Sequence, residues 1–165
     1  MRISDESLTK LLERGGVATP EQIEELQNQA ISNDKTLRET VINSKLISDV
    51  DLTKLYANYI NVPFIELIPQ DIPKDVLVRI PERIARQYTA VVFKIDESGV
   101  VHIAMDDPDD VQAVSFLEKE LGTNSAIYMA TRSNLLDCLE MYRGDVDQEL
   151  KEVIEFLKDP KKFQK

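Results

Sequence analysis

The chain has 165 residues, of which 42% are hydrophobic and 30% are charged, as is typical of a globular protein with one domain or two small ones. The formal net charge of −10 argues against binding to a nucleic-acid backbone, and no apolar run is long enough to cross a membrane or to act as a signal peptide. A cytosolic location is therefore expected, and the single cysteine, Cys138, excludes an intramolecular disulfide bond.

The first third of the chain contains a sequence repeat. Residues 8–31 align with residues 37–60 without a gap, at an offset of 37 − 8 = 29 residues, and apolar residues coincide along the alignment. A repeat of this length is about one helix–turn–helix unit, which cannot bury its apolar stripe alone. The alignment therefore predicts two helix pairs that pack against each other.

Capping residues indicate where the four helices of this repeat begin. Ser and Thr side chains accept hydrogen bonds from the first turn of a helix, and a Gln or Glu three residues later completes a capping box. The predicted N-caps are Ser4, Thr19, Thr36 and Ser48. The predicted helix ends are Gly15-Gly16, Asn33 and Asn61. The helical spacing predicts that the core-facing residues are Leu8, Leu11, Leu12, Ile23, Leu26, Ala30, Leu37, Val41, Leu52, Leu55, Tyr56 and Tyr59.

The periodicity changes after the repeat. Pro63 ends helical continuation, and residues 64–67 are typical of a short strand or an extended connector. Further prolines divide the following segment into short pieces, for which the sequence predicts helices over residues 74–78 and 82–87. This proline-spaced connector is expected to separate two subdomains.

Strands and helices alternate in the second half of the chain. Two apolar runs joined by a turn predict a β-hairpin, and a third strand is expected between two helices. The predicted strands are Ala90–Ile95, residues 100–105 and Ser125–Met129. Asp107-Pro108 is expected to open the first helix and Thr131 to cap the second. The predicted inward residues are Val111, Val114, Leu117 and Leu121 in the first helix, and Leu135, Leu136, Leu139 and Tyr142 in the second.

The predicted fold is therefore α+β. A tandem helix–turn–helix of four short helices precedes a small ββαβα layer with a three-stranded sheet and a C-terminal helix. The C-terminal helix is expected to carry Leu150, Val153, Ile154 and Leu157 on one face, and residues 159–162 are typical of a linker. The predicted division is residues 1–61 for the helical repeat, 62–89 for the connector, 90–143 for the α+β subdomain and 144–165 for the C-terminal helix and linker.

The sequence contains no recognisable catalytic motif. The phosphate-binding loop G-x-x-x-x-G-K-[ST] is absent. Because Cys138 and His102 are the only residues of their types, they cannot build a zinc site, and they form a nucleophile–base pair only if the fold brings them together. The sequence therefore predicts that the chain is not an enzyme and has no catalytic residue, metal or cofactor.

An acidic cluster follows the second predicted strand, and it has two interpretations. Its members are Asp106, Asp107, Asp109 and Asp110. They either complement the N-terminus of the next helix or hold a divalent cation, and the first is favoured because calcium-loop spacing is absent.

A basic cluster lies in the connector. Arg79, Arg83 and Arg86 recur at spacings of four and three, so they share a face if the segment is helical. They form either a solvated basic face or a contact for an acidic partner. These three arginines are the interface candidates of the sequence.

The order of these segments resembles the N-terminal domain of type II secretion and type IV pilus assembly ATPases, an MshEN-like family. In that family a helical repeat ends in a phrase similar to Val62-Pro63-Phe64-Ile65-Glu66-Leu67, and a hairpin ends in one similar to Ala104-Met105-Asp106-Asp107-Pro108. The resemblance covers about Leu8 to Arg143. It implies a non-catalytic docking domain that links a motor ATPase, in cis or in trans, to inner-membrane platform proteins. It also implies a cytoplasmic protein, peripheral at the inner membrane, whose ATP binding would belong to a longer chain.

Some members of this family resemble a receptor for cyclic di-GMP. In those members each helical repeat opens with Arg-Leu-Gly and later carries leucines and a closing glutamine. The residues that this resemblance implies for a nucleotide site are Leu8, Gln29, Leu37, Arg38 and Asn58. The openings here are Ser7-Leu8-Thr9 and Thr36-Leu37-Arg38, so the Arg and Gly are missing from both repeats. Because Arg is the residue that binds phosphate bidentately, its loss favours docking over nucleotide sensing.

Overall fold

A computed structural model describes residues 1–158 of the chain, apart from the side chains of residues 144–149, 151 and 152. The predicted linker at residues 159–162 lies outside the described residues. The helices are α1 (Asp5–Arg14), α2 (Pro20–Ser32), α3 (Leu37–Asn43), α4 (Asp49–Tyr59), α5 (Lys74–Leu77), α6 (Glu82–Tyr88), α7 (Val111–Leu121), α8 (Arg132–Leu139) and α9 (Met141–Lys158). The strands are β1 (Ala90–Ile95), β2 (Val101–Met105) and β3 (Ser125–Met129), and Pro69–Asp71 forms a 3₁₀ turn. The predicted α+β fold is confirmed.

The four predicted helix starts of the repeat are confirmed. Each N-cap side chain accepts a hydrogen bond from the backbone three residues later, as at Thr19, which accepts from Gln22 N at 3.2 Å. Thr19 and Thr36 both form complete capping boxes, because Gln22 and Glu39 return a bond to the cap backbone. These local bonds satisfy amide groups that the helices leave without a partner.

A left-handed residue follows the first helix of each pair at equivalent positions. Gly16 has a φ of 67°, and Lys45, 29 residues later, has a φ of 64°. Glycine adopts this conformation without steric cost, whereas an L side chain there is strained. The repeat is therefore conserved in backbone shape even where its sequence changes from Gly to Lys.

The helical repeat encloses one hydrophobic cluster, and nearly all of its predicted core residues are confirmed. Leu8, Leu12, Val41 and Leu52 are fully buried there. Tyr59 was expected on the inward stripe of α4, but it is 54% exposed. The prediction was wrong because Tyr59 lies in the last turn of α4, beyond Tyr56, which takes the buried position.

The connector runs beside β3 and is bonded to it. Phe64 forms a single parallel bridge with Met129, and Met129 N donates to the Pro63 carbonyl oxygen at 2.8 Å. The side-chain amide of Asn134 accepts from Leu67 N at 2.8 Å and donates to the Leu67 carbonyl oxygen at 2.9 Å. The extended connector that the sequence predicts is therefore fixed to the sheet by main-chain hydrogen bonds and to α8 by the side chain of Asn134.

The sheet has the order β1-β2-β3, with β1 antiparallel to β2 and β2 parallel to β3. A bulge interrupts β1 between Val92 and Lys94. A second hydrophobic cluster joins the sheet to α5, α6, α7 and α8. Two predicted inward residues, Val111 and Leu136, are exposed instead, since Ala113 and Leu117 of α7 and Leu135 and Leu139 of α8 provide the buried faces. The predicted domain boundaries remain predictions.

The C-terminal helix begins earlier than predicted. Tyr142 lies in α9 rather than in α8, and its hydroxyl donates to the carbonyl oxygens of Leu77 and Ile80, at 2.8 and 2.9 Å. The apolar residues predicted to share a face of this helix are all exposed: Leu150, Val153, Ile154 and Leu157. No helix within residues 1–158 is both long and apolar enough to span a membrane.

Candidate functional site

The segment that follows β2 lies at the joint between the helical repeat and the sheet. Asp109 Oδ2 accepts a hydrogen bond from the Tyr56 hydroxyl of α4 at 2.9 Å. Asp107 Oδ2 is 3.7 Å from Arg2 Nε, and Asp106 Oδ2 accepts from Arg132 Nη1 at 3.2 Å. We call Asp106, Asp107 and Asp109 the joint carboxylates, since they contact both the N-terminal helices and the start of α8.

Helix α7, which follows the joint carboxylates, begins three residues later than the sequence predicts. Asp110, not Asp107, is the N-cap of α7, and its side chain accepts from Ala113 N at 3.1 Å. Pro108 lies in the turn before the helix rather than in its first turn. The prediction that Asp107-Pro108 opens the helix was therefore wrong. Because Asp110 alone caps α7, the joint carboxylates remain available for the contacts across the joint.

Two of the joint carboxylates share a hydrogen bond that changes their acidity. Burial, and then the hydrogen bond and the negative charge of Asp109, raise the pKa of Asp107 to about 6. Burial opposes ionisation of Asp109, but hydrogen bonds with Asp107 and Tyr56 hold its pKa below the usual range. Burial and the bond to Asp109 raise the pKa of the Tyr56 hydroxyl far above its usual value. The joint therefore holds a shared proton below about pH 6.

The stability of the protein should depend on this proton. The folded pKa of Asp107, about 6, is above the value of about 4 for an unfolded chain, so the folded state binds the proton more tightly. Raising the pH from about 5 to about 7 should therefore lower the free energy of unfolding, by on the order of 1 kcal/mol after solvent screening. Asp107→Asn should show a smaller change in urea unfolding at the two pH values.

The control is Glu24→Gln, an exposed carboxyl on α2, which should keep the wild-type pH dependence. An Asp107→Asn variant with the same pH dependence as the wild type would contradict the shared proton.

A polar cavity of about 440 Å³ opens at the same joint. Its charged lining combines three arginines, Arg2, Arg38 and Arg132, with three aspartates, Asp106, Asp107 and Asp110. A second cavity of about 340 Å³ shares Arg38 and Arg132 and adds Lys35. The two cavities together are lined by four cationic side chains, and the second is also lined by the carboxylates of Glu39 and Asp49.

Arg38 lines both cavities, and it also belongs to the nucleotide site that the sequence predicts. Its Nη2 donates to Asp49 Oδ1 at 2.8 Å. Its Nε is buried and has no hydrogen-bond partner among the described residues. A buried donor without a partner is costly, so a ligand oxygen at this position would be stabilised.

The other predicted nucleotide-site residues do not join Arg38. Leu8 and Leu37 are buried in the core of the helical repeat, and Gln29 and Asn58 are exposed on α2 and α4. None of the cavities described here is lined by more than one of the five predicted residues. Thr36, at one position where Arg is missing, caps α3 instead.

Sequence reasoning missed Arg2, Arg132 and the role of the joint carboxylates. A signal was available, because Asp106 follows the carboxyl end of β2 and Arg132 follows that of β3. The carboxyl ends of parallel strands lie at one edge of a sheet, where ligands commonly bind. Using that signal required knowing that β2 and β3 are parallel.

The three arginines of the connector have different environments. Arg79 lies in the turn before α6, whereas Arg83 and Arg86 lie in α6, so the three do not form one helical face. Arg79 and Arg83 are exposed. Arg86 is half-buried, with its Nε 3.4 Å from Glu82 Oε2 and its Nη2 3.4 Å from Glu140 Oε1. An acidic partner would therefore meet Arg79 and Arg83 more readily than Arg86.

Cys138 and His102 do not form a nucleophile–base pair. Cys138 is fully buried, and burial, with a contribution from Asp137, raises the pKa of its thiol to about 11. The ring nitrogens of His102 contact the Tyr128 hydroxyl at 2.9 Å and Asp96 Oδ2 at 3.0 Å. Over the described part of the chain, no three His, Cys, Asp or Glu residues are placed to hold a metal ion.

Comparison with known proteins identifies the family. The model of the MshEN domain matches residues 60–149, which is more than half of the chain. The chain belongs to the MshEN domain family. This assignment confirms the resemblance that the repeat, the connector and the hairpin predict.

The relatives of this MshEN chain include two proteins described as the type IV pilus assembly ATPase PilB. The protein from Thermus thermophilus is 26% identical over 140 residues, which cover 84% of this chain and 16% of that protein. The protein from Myxococcus xanthus is 22% identical over 148 residues, covering 89% of this chain and 26% of that protein. The chain thus spans only 16% and 26% of the lengths of these two relatives.

Two solved structures resemble the MshEN chain. A structure of MshE with cdg aligns with a TM-score of 0.65 at 25% identity, covering 86% of this chain and 99% of that one. A structure of the N-terminal domain of XpsE aligns with a TM-score of 0.56 at 15% identity, covering 85% and 96%. The likeness to XpsE shows the fold alone.

Proposed function

We propose that this MshEN chain is a docking domain of a type IV pilus or type II secretion motor ATPase. The observation that carries the proposal is the match of most of the chain to a small part of two PilB ATPases. The chain has no G-x-x-x-x-G-K-[ST] loop, so ATP hydrolysis would belong to another domain, in cis or in trans. The domain would join that motor to inner-membrane platform proteins and would act in the cytoplasm, peripheral at that membrane.

Arg79 and Arg83 are the contacts that we assign to docking. Both side chains are exposed next to a proline break in a chain with a net charge of −10. A basic surface on an otherwise acidic protein attracts an acidic partner surface through complementary charge. Arg86 supports this surface by tying α6 to Glu140.

Binding of the chain to a purified PilB-type motor, and to the cytoplasmic part of a platform protein, tests the proposal by biolayer interferometry. Arg79→Glu/Arg83→Glu should weaken binding to one of them by about tenfold or more, since one partner meets repulsion in place of attraction. Arg14→Glu/Lys119→Glu, which reverses two exposed charges on α1 and α7, is the matched control. Failure of the wild type to bind either protein, or equal binding by both variants, would remove the proposal.

Cyclic di-GMP binding is the second candidate function. It is favoured by the joint cavity with Arg2, Arg38 and Arg132 and by the structural similarity to MshE with cdg. Arginine donors suit the two phosphates of such a ligand, and the buried Nε of Arg38 lacks a partner among the described residues. Against it stand Ser7 and Thr36 at the positions where the family's binding members carry Arg.

Calorimetric titration with cyclic di-GMP decides this question. If the joint cavity is the site, Arg38→Ala and Arg132→Ala should each weaken binding by about tenfold or more, whereas Arg14→Ala on α1 should leave it unchanged. Thermal unfolding of each variant checks that Arg38→Ala has not merely disrupted the contact with Asp49. Absence of heat with wild-type protein at roughly tens of micromolar would eliminate tight nucleotide binding.

A further inference from the structure

A third cavity lies between the sheet and the connector. It has a volume of about 430 Å³. One wall is the end of β1, residues 93–95, and the other is the connector over residues 66–76. We call it the β1 groove. Its apolar lining is Leu67, Ile68, Ile72, Pro73, Val76, Phe93 and Ile95.

The strand wall of the β1 groove is the accessible end of an outer sheet strand, because Lys94 is exposed and Phe93 and Ile95 are half-buried, whereas Ala90, Val91 and Val92 are fully buried. Within the part of the chain that the structure describes, β2 is the only sheet neighbour of β1. Among the described residues, no main-chain hydrogen bond outside the helices and the sheet involves residues 91–95. Over residues 93–95, which line the groove, this edge can offer its outward N–H and C=O groups to another extended chain.

Both walls of the β1 groove are held in place from behind. The backbone of Leu67 is bonded at its N–H and its C=O by Asn134. The ring of Phe93 lies 5.2 Å from that of Tyr128 and 6.0 Å from that of His102, and His102 is itself bonded to Tyr128 and Asp96. A groove with fixed walls loses little conformational entropy when it is occupied.

The charges of the β1 groove select its occupant. Glu66 and Asp71 are exposed on the connector wall, and Lys94 is exposed on the strand wall. Pairing of β1 with β1 of a second copy would bring two lysines and two bulges together, which is a common way of preventing self-association. The excess of carboxylates instead favours a basic side chain from a different protein.

We propose that the β1 groove binds an extended segment of a partner protein, which adds a strand to β1 beside Phe93 and Ile68 and places a basic side chain near Glu66 and Asp71. Main-chain bonds to the edge would supply affinity, and the apolar and acidic walls would supply selectivity. This surface adds to the proposed docking function and does not include Arg79 or Arg83.

Fluorescence anisotropy with a labelled eight-residue peptide of alternating valine and lysine tests the proposal on the full chain. We expect saturable binding that weakens by about tenfold when alternate peptide nitrogens are methylated on the edge that faces β1, because methylation removes the N–H donors. Ile68→Glu should weaken binding similarly, and its exposure of 60% means that the fold should tolerate the change.

Charge reversal provides the second arm of the test. Glu66→Lys/Asp71→Lys should weaken binding of the valine–lysine peptide by about tenfold and strengthen binding of a valine–glutamate peptide. Glu24→Lys/Glu25→Lys on α2 makes the same change in net charge at exposed positions outside the groove and should leave the peptide preference unchanged.

Three outcomes would overturn the proposal: no saturable binding of the valine–lysine peptide, equal binding of the methylated peptide, or equal binding by the groove variants and the α2 control. Arg79→Glu/Arg83→Glu should bind the peptide normally. Loss of motor binding with intact peptide binding, or the reverse, therefore distinguishes failure of the groove from failure of the arginine surface.

Discussion

Replacing Met129 with alanine should lower the free energy of unfolding by about 2–5 kcal/mol. Met129 is the last residue of β3, yet its fully buried side chain belongs to the hydrophobic cluster of the helical repeat. Its backbone also accepts from Ile65 N at 2.9 Å. The substitution would therefore leave a cavity where the sheet, the connector and the helices meet. Urea unfolding followed by circular dichroism measures the effect.

Met129→Leu is the control, because it conserves side-chain volume and should cost less than about 1.5 kcal/mol. Since one residue serves the backbone of the sheet and the core of the helices, we also expect the wild type to unfold in a single transition. Two separate transitions in the wild type, or an alanine variant as stable as the leucine variant, would contradict this role for Met129.

Asn134→Ala should lower the free energy of unfolding by about 2–4 kcal/mol. The substitution removes both hydrogen bonds to the backbone of Leu67, and each such bond contributes about 1 kcal/mol. Leu67 is buried, so water cannot fully replace the hydrogen-bond partners that its N–H and C=O would lose. Chemical unfolding measures the loss, and hydrogen exchange at Leu67 N reports where it occurs.

The matched control for Asn134 is Ser133→Ala, the preceding residue on α8, which is exposed and should change stability by no more than about 0.5 kcal/mol. If Asn134→Ala falls in the same range, the connector is held by packing rather than by the side-chain amide. The same variant should then leave peptide binding in the β1 groove unchanged.

The parts of the fold that depend on neighbours in sequence were predictable. Thr19 and Thr36 cap helices through Gln22 and Glu39, which stand three residues away, so the pattern is visible without any tertiary information. The start of α7 was not predictable in this way. Four aspartates around Pro108 can each cap a helix, and the fold selects Asp110.

The candidate site depended on contacts that sequence patterns do not show. Tyr56 and Asp109 are 53 residues apart, and Asp106 and Arg132 are 26 residues apart. Arg38 could be singled out because it lies at the opening of the second repeat, but the fold, and not the sequence pattern, places it beside Arg132 in the lining of two cavities. Charge pairs across a joint have no local periodicity that would reveal them.

The turn at Lys45 has a consequence for motion. Gly16 and Lys45 have the same left-handed backbone, but only the lysine stores steric strain, on the order of 1 kcal/mol. The helix before Lys45, α3, has seven residues, fewer than α1, α2 or α4. Local opening should therefore begin at α3 and spread to the side of the joint cavity that Arg38 provides, whereas the equivalent turn at Gly16 stays closed. Within a nearly symmetrical repeat, one half would be the mobile wall of the site and the other its fixed support.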